Sequence, residues 1–171
     1  IKNHYIFNKI INHFNKKKLP NKILLSGPKC IGKSTLSYHF LNYVFSKNED
    51  FSYDINNKRI DQNNTSFKLI QNHTHPNFYS IDLFDGSKSI EISQIRKMIE
   101  YSNKSSFNHS SRFVIIDNLE FLNTNSANAL LKIIEEPNSN LFFILINNTN
   151  KTILETLKSR CINFKMNLSF N

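Results

Sequence analysis

Residues 27–34 read Gly27-Pro28-Lys29-Cys30-Ile31-Gly32-Lys33-Ser34, two glycines five positions apart followed at once by a lysine and a hydroxyl. No other feature of the chain narrows its fold as far. Glycine tolerates backbone angles that a Cβ forbids, so successive N–H groups between Gly27 and Gly32 can curl around a phosphate. Lys33 then supplies a point charge, and Ser34 puts an oxygen where Mg²⁺ needs a ligand. The helix that follows aims its positive end at the same phosphates. Such a loop works only between a strand and a helix, and both are signalled. Lys22-Ile23-Leu24-Leu25 is a short apolar run, and Leu36, Phe40, Tyr43 and Val44 recur at helical spacing on one face. The segment Gly27–Thr35 is therefore expected to be the phosphate-binding loop of a nucleotide-binding α/β domain.

The rest of the chain alternates strand and helix signals. An amphipathic helix carrying Ile6, Ile10 and Phe14 is stopped by Leu19-Pro20 before the first strand. From Ser46 to His73 the sequence turns polar and rich in asparagine, which predicts a surface insertion with loops at 54–57 and 61–64. Phe78–Asp82 reads as the second strand, and Ser93 is expected to cap a helix that turns Ile95, Met98 and Ile99 inward. Phe113-Val114-Ile115-Ile116 is a continuous apolar strand ending in Asp117, the look of a buried parallel strand. A helix over 125–136 buries Ala127, Leu130, Ile133 and Ile134 and is stopped by Pro137. Leu141–Ile146 is another buried strand, and Cys161–Phe164, after a short helix, is the last. Strands separated by helices predict a parallel five-stranded sheet with helices on both faces.

With 171 residues the chain fits one domain, 1–171, with a full core. No apolar run approaches the roughly 18 residues a membrane helix needs, and no signal-peptide pattern opens the chain, so a cytoplasmic protein without membrane association is expected. The chain begins at Ile1 rather than methionine, which predicts a piece of something longer. A formal charge of +9 and the run Lys16-Lys17-Lys18 invite a nucleic-acid reading. The chain is, however, rich in Asn, Lys and Ile and poor in Gly and Ala, the bias of an AT-rich coding sequence. The lysines are accordingly read as a solvated face, with direct DNA contact as the lesser alternative.

Further motifs stand in a fixed order along the chain. The run 125–137 is similar to the NALLKxLEEP segment of clamp-loader AAA+ subunits, and Ser159-Arg160-Cys161 to their arginine-finger motif. His75-Pro76-Asn77-Phe78 and the following Ile95-Arg96 resemble elements of the delta-prime branch of that family, subunits of bacterial DNA polymerase III. The matches cover nearly the whole chain, from Leu19 to Cys161.

The resemblance implies a P-loop NTPase, the AAA+ RecA-like core, that binds ATP and Mg²⁺ within the DNA polymerase III holoenzyme. Its partners would be the tau/gamma and delta subunits, and through them the sliding clamp and primer-template DNA. Gly27, Pro28, Lys29, Cys30, Ile31, Gly32, Lys33, Ser34 and Thr35 would surround the phosphates, and Ser34 and Asp117 would hold Mg²⁺. Asn148 falls at the position that senses the γ-phosphate, with Asn147 as the alternative and ordinary turn chemistry as an equal reading of both. Arg160 would act in trans on a neighbouring subunit's ATP, its bland alternative being a local ion pair.

Hydrolysing AAA+ members carry a glutamate after the Asp; here it is Asn118, whose amide takes no proton, so weak or absent ATPase activity is expected. This favours the delta-prime branch over the tau/gamma motor, which stays the alternative. A small-molecule kinase ranks last, since 46–72 offers only Arg59 for a lid clamp. Glu120 could reach the site but is read as a surface charge. The family's lid and collar domains are missing from these 171 residues.

Bacterial members of the family usually carry a four-cysteine zinc module between the loop helix and the second strand. Here 46–73 contains no cysteine, and Cys30 and Cys161 stand far apart without Cys-x-x-Cys spacing. Elemental analysis of the purified protein is expected to find no stoichiometric zinc; one zinc per chain would overturn this.

Overall fold

The computed structural model describes residues 3–104, 110–136, 138, 140–148 and 155–167. The apolar runs become five strands: β1 (Lys22–Gly27), β2 (Phe78–Ile81), β3 (Arg112–Ile116), β4 (Leu141–Asn148) and β5 (Ile162–Lys165). All pair in parallel, in the order β2-β3-β4-β1-β5. Among the described residues six α-helices connect or flank them: α1 (His4–Asn15), α2 (Lys33–Phe45), α3 (Thr65–Gln71), α4 (Ile92–Asn103), α5 (Thr124–Glu135) and α6 (Glu155–Ser159).

Strand side chains alternate between faces, and the two apolar clusters follow that alternation. Ile144 and Ile146 of β4 join Ile23 and Leu25 of β1 beneath Phe7 and Ile10 of α1 and Leu36 and Phe40 of α2. Phe143 and Leu145 face the other way, onto Ile95 and Met98 of α4 and Leu130 and Ile134 of α5. The sheet is thus covered on both faces, which is why its central strands are apolar throughout rather than alternating. Among the described residues no helix is long and apolar enough to cross a membrane.

Register decides what the sheet presents at its carboxyl edge. Gly27 of β1 is level with Asn148 of β4, and Ile81 of β2 with Ile116 of β3. Four chain segments therefore leave the sheet side by side: the loop after Gly27, the residue Asn148, and the carboxylates Asp82 and Asp117.

The structure departs from the sequence reading at several ends. The polar stretch does form turns at Asp54 and Asp61, where each carboxylate accepts backbone N–H groups two or three residues on. Yet it also contains α3, which the reading missed, and it contributes Tyr53 and Ile70 to the core. What organises it is polar chemistry: Asn64 caps α3 by accepting from Phe67 N–H at 2.6 Å, accepts from Asn42 Nδ2 at 3.1 Å and donates to the Phe51 carbonyl at 2.8 Å. The Glu49 carboxylate takes the next two N–H groups of that helix, from Thr65 and Ser66. Helix α4 is capped by Glu91, not Ser93, because Gln94 closes a reciprocal capping box with it. Asn123 caps α5. Pro137, expected to end α5, lies outside the described residues. β4 runs two residues past Ile146, and β5 starts at Ile162, one residue after Cys161.

Phe113 sits centrally in an aromatic cluster, its ring 5.1 Å from Phe142 and 5.6 Å from both Phe40 and Phe45. His75 extends the cluster by stacking on Phe45 at 4.0 Å, and its Nδ1 accepts the Asn77 N–H at 3.2 Å. That bond requires an unprotonated Nδ1, and burial pushes the His75 pKa down to about 4. Between the ordinary value near 6.5 and 4 the unfolded chain takes up a proton that the folded one refuses. The contribution of His75 to stability is therefore expected to fall as pH drops through that window, by about 2–3 kcal/mol at pH 4.5 relative to pH 7.5. Urea unfolding at the two pH values should show His75→Gln, which keeps an acceptor but cannot titrate, losing correspondingly less. Equal losses in both proteins would sink the assignment.

Candidate functional site

The loop between β1 and α2 is shaped by close approach. A Cβ on Gly27 would lie 2.3 Å from the Met166 carbonyl oxygen and 2.6 Å from Ile31 Cδ1, so no larger residue fits there. Gly32 starts α2 with φ of 89°, in the left-handed region. The turn delivers Lys33 inward, only 4% exposed, and its ammonium donates to the Gly27 carbonyl at 3.0 Å, the Pro28 carbonyl at 2.6 Å and Asn148 Oδ1 at 2.9 Å. Burial lowers the lysine's pKa, and the charges of Asp117 and Glu120 oppose that shift.

The facing wall comes from the ends of β2, β3 and β4. Asp117 accepts a short hydrogen bond from the Ser34 hydroxyl and one from the Asn118 N–H at 2.7 Å. Burial raises its pKa, partly countered by those two donors. Asn118 adopts a left-handed conformation with φ of 53°, which swings its amide sideways: Nδ2 donates to Asp82 Oδ1 at 2.6 Å. A 3₁₀ turn, Leu119–Phe121, then carries Glu120 back toward β4. The Glu120 carboxylate accepts from Asn148 Nδ2 at 2.5 Å and from the Asn148 N–H at 3.1 Å, and Asn118 Oδ1 accepts from the same Nδ2 at 3.3 Å.

Between these walls lies a cavity of about 300 Å³ lined by Lys29, Cys30, Gly32, Lys33, Ser34, Thr35, Asp117, Asn118, Ile146 and Asn148. Of the other loop residues, Gly27 and Pro28 reach it through the carbonyls that hold Lys33, and Ile31 turns into the core. Strand alternation puts Asn147 on the opposite face from Asn148, its Oδ1 buried without a partner among the described residues. Arg160 lies apart, in the turn after α6. Its Nε and Nη2 hold Glu135 Oε1 at 2.9 and 2.8 Å, and its Nη1 donates to the Thr156 carbonyl.

The sequence reading assigned Glu120 to the surface and gave Asp82 no role at the site. Glu120 is not a solvated surface charge: it anchors Asn148, because the 3₁₀ turn after the left-handed Asn118 reverses its direction. Asp82 follows the last residue of β2 as Asp117 follows that of β3, so strand position, the signal that marks Asp117, could have found it too. Among the described residues no group of three or more His, Cys, Asp or Glu side chains is arranged to hold a metal. A hard cation such as Mg²⁺ needs only one or two protein oxygens and completes its shell with water and phosphate. The touching Ser34 hydroxyl and Asp117 carboxylate fit that demand.

The residue pattern matches the family model described as DNA polymerase III, delta subunit, over residues 2–169. Among curated proteins the chain is 28% identical over 139 residues to DNA polymerase III subunit delta' of Pseudomonas aeruginosa, covering 81% of this chain and 40% of that one. It is 32% identical over 165 residues to DNA polymerase III subunit gamma of Buchnera aphidicola subsp. Schizaphis graminum, covering 96% of this chain and 43% of the relative. The chain thus spans less than half the length of these relatives. Among solved structures, a DNA polymerase III gamma subunit-related protein from Thermotoga maritima superposes with a TM-score of 0.65 at 20% identity, covering 99% of this chain and 47% of the other. The fold is the AAA+ P-loop core expected from the sequence.

Proposed function

Since the chain belongs to the DNA polymerase III delta subunit family, we propose that it is the ATP-binding core of a delta-prime-like clamp-loader subunit, which helps load the sliding clamp on primer-template DNA in the cytoplasm. The observation that carries this reading is the convergence of Lys33, Ser34, Asp117 and Asn148 on one cavity at the carboxyl edge of a parallel sheet. The loop's backbone N–H groups and Lys33 would hold the phosphates, and Ser34 and Asp117 the Mg²⁺. Bound there, the cation would neutralise phosphate charge.

Asn118 supports a binding role over turnover. Its amide is committed to Asp82 and Asn148 and has no basic group to take a proton from water. The gamma relative, 32% identical, favours the motor-subunit reading instead, and the absence of a glutamate at 118 weighs against it.

ATP·Mg²⁺ is expected to raise the melting temperature through mass action, by an increment that grows with ligand concentration. Lys33→Ala should abolish the shift. Identical melting curves with and without saturating ATP would mean the loop only packs.

Arg160 would supply the arginine finger of an assembled complex with tau/gamma and delta subunits. It is half-exposed, and its ionic partner among the described residues, Glu135, is exposed too, so exchanging that partner for a neighbour's phosphate costs little. Its planar, permanently charged fork suits two phosphate oxygens. In a full-length subunit Arg160→Ala should leave this chain's ATP affinity nearly unchanged and slow hydrolysis by the assembled complex, on the order of a hundredfold or more. Wild-type hydrolysis by the mutant complex would leave Arg160 an ordinary ion-pairing residue.

A further inference from the structure

The hydrogen bonds around Asn148 have a direction that chemistry forces. Glu120, an ionised carboxylate, can only accept, and the Lys33 ammonium can only donate. Asn148 lies between them, with Nδ2 2.5 Å from Glu120 Oε1 and Oδ1 2.9 Å from Lys33 Nζ. Turning the amide over would set acceptor against acceptor on one side and donor against donor on the other. The same sense continues outward, since Asn118 accepts from Asn148 and donates to Asp82. A one-way chain of donors thus runs from the ammonium to two carboxylates. The second Glu120 oxygen takes the Asn148 backbone N–H at 3.1 Å and fixes the residue's backbone as well.

The consequence falls on the terminal phosphate of a nucleotide. A γ-phosphate oxygen is itself acceptor-only, and at Lys33 it would meet the carbonyl oxygen of Asn148 rather than its amide hydrogens. Among the described residues Lys33 has two loop carbonyls and one side-chain oxygen as acceptors, and only the side chain can move without reshaping the loop, so Asn148 is the partner that yields. It can yield, or turn to donate, only by breaking with Glu120. The last phosphate of a diphosphate can be held by the loop's backbone N–H groups while Lys33 keeps its bond to Asn148, so it places less demand on that contact.

We propose that Glu120 is a specificity-determining positioning residue, which locks Asn148 with its acceptor toward Lys33 and so biases the site toward a nucleoside diphosphate over the triphosphate. This rests on reading the cavity as a nucleotide site. The test is calorimetric titration of the full-length protein with ADP and with ATP, each with Mg²⁺, for wild type, Glu120→Gln, Asn148→Ala and the double variant, with melting curves as a check on folding.

Glu120→Gln can present a donor to Asn148 and lets the amide turn. It is expected to raise ATP affinity relative to ADP by about three- to tenfold. Asn148→Ala removes the opposing oxygen and should shift the ratio in the same direction. The double variant should gain nothing beyond either single change, because both act on one contact. An ATP-to-ADP ratio unmoved in both variants, or both affinities falling together with the melting temperature, would overturn the assignment and leave Glu120 structural. Failure of the wild type and both variants to bind either nucleotide would overturn the nucleotide reading itself, and this inference with it.

Discussion

A buried ammonium must be surrounded by acceptors, and the way Lys33 meets that requirement organises this end of the molecule. An unpaired charge at 4% exposure would cost several kcal/mol. Three oxygens among the described residues prevent that, and they come from two structural decisions. The Gly27 and Pro28 carbonyls point inward because the loop turns where only glycine fits against Met166. Asn148 arrives because β4 pairs with β1 in parallel and in a register that ends the two strands together. A one-residue slip would put Asn147 at the cavity and exchange the β4 side chains between the two faces of the sheet. The core's packing and the site's polarity are therefore fixed by a single register.

The sheet and most of its helices were legible in the sequence because apolar periodicity is a local signal. Phe113–Ile116 and Leu141–Ile146 could hardly be anything but covered parallel strands, and Leu36 and Phe40 had to face them. Helix α3 was not legible, since its seven residues carry little periodicity and its start depends on Asn64, Asn42 and Glu49, which are brought together only by the fold. The misplaced cap of α4 has the same origin in reverse. Ser93 is the commoner capping residue, but the Glu91–Gln94 exchange satisfies two backbone groups at once.

At the site, the loop residues and Asp117 announced themselves through spacing and strand position. Glu120 did not, because whether a residue just beyond a strand faces water or a neighbouring strand turns on one backbone angle, the positive φ of Asn118. A sequence offers no periodic pattern for a single reversal. Arg160 shows the opposite limit: its motif was plain, yet its pairing with Glu135, 25 residues upstream, is a tertiary fact.

The packing of Gly27 against the chain just past β5 has a mechanical side. β5 is a four-residue edge strand held to the sheet through β1 alone, and the Met166 N–H that follows it donates to the Ser26 carbonyl at 2.7 Å. The carbonyl of Met166 fills the space over Gly27. Edge strands fray more readily than central ones, and here fraying would remove the buttress behind the first residue of the loop. Loosening of the last strand and loss of order in the loop therefore belong to one cooperative unit, so amide exchange along Ile162–Lys165 reports on the loop as directly as exchange in the loop itself.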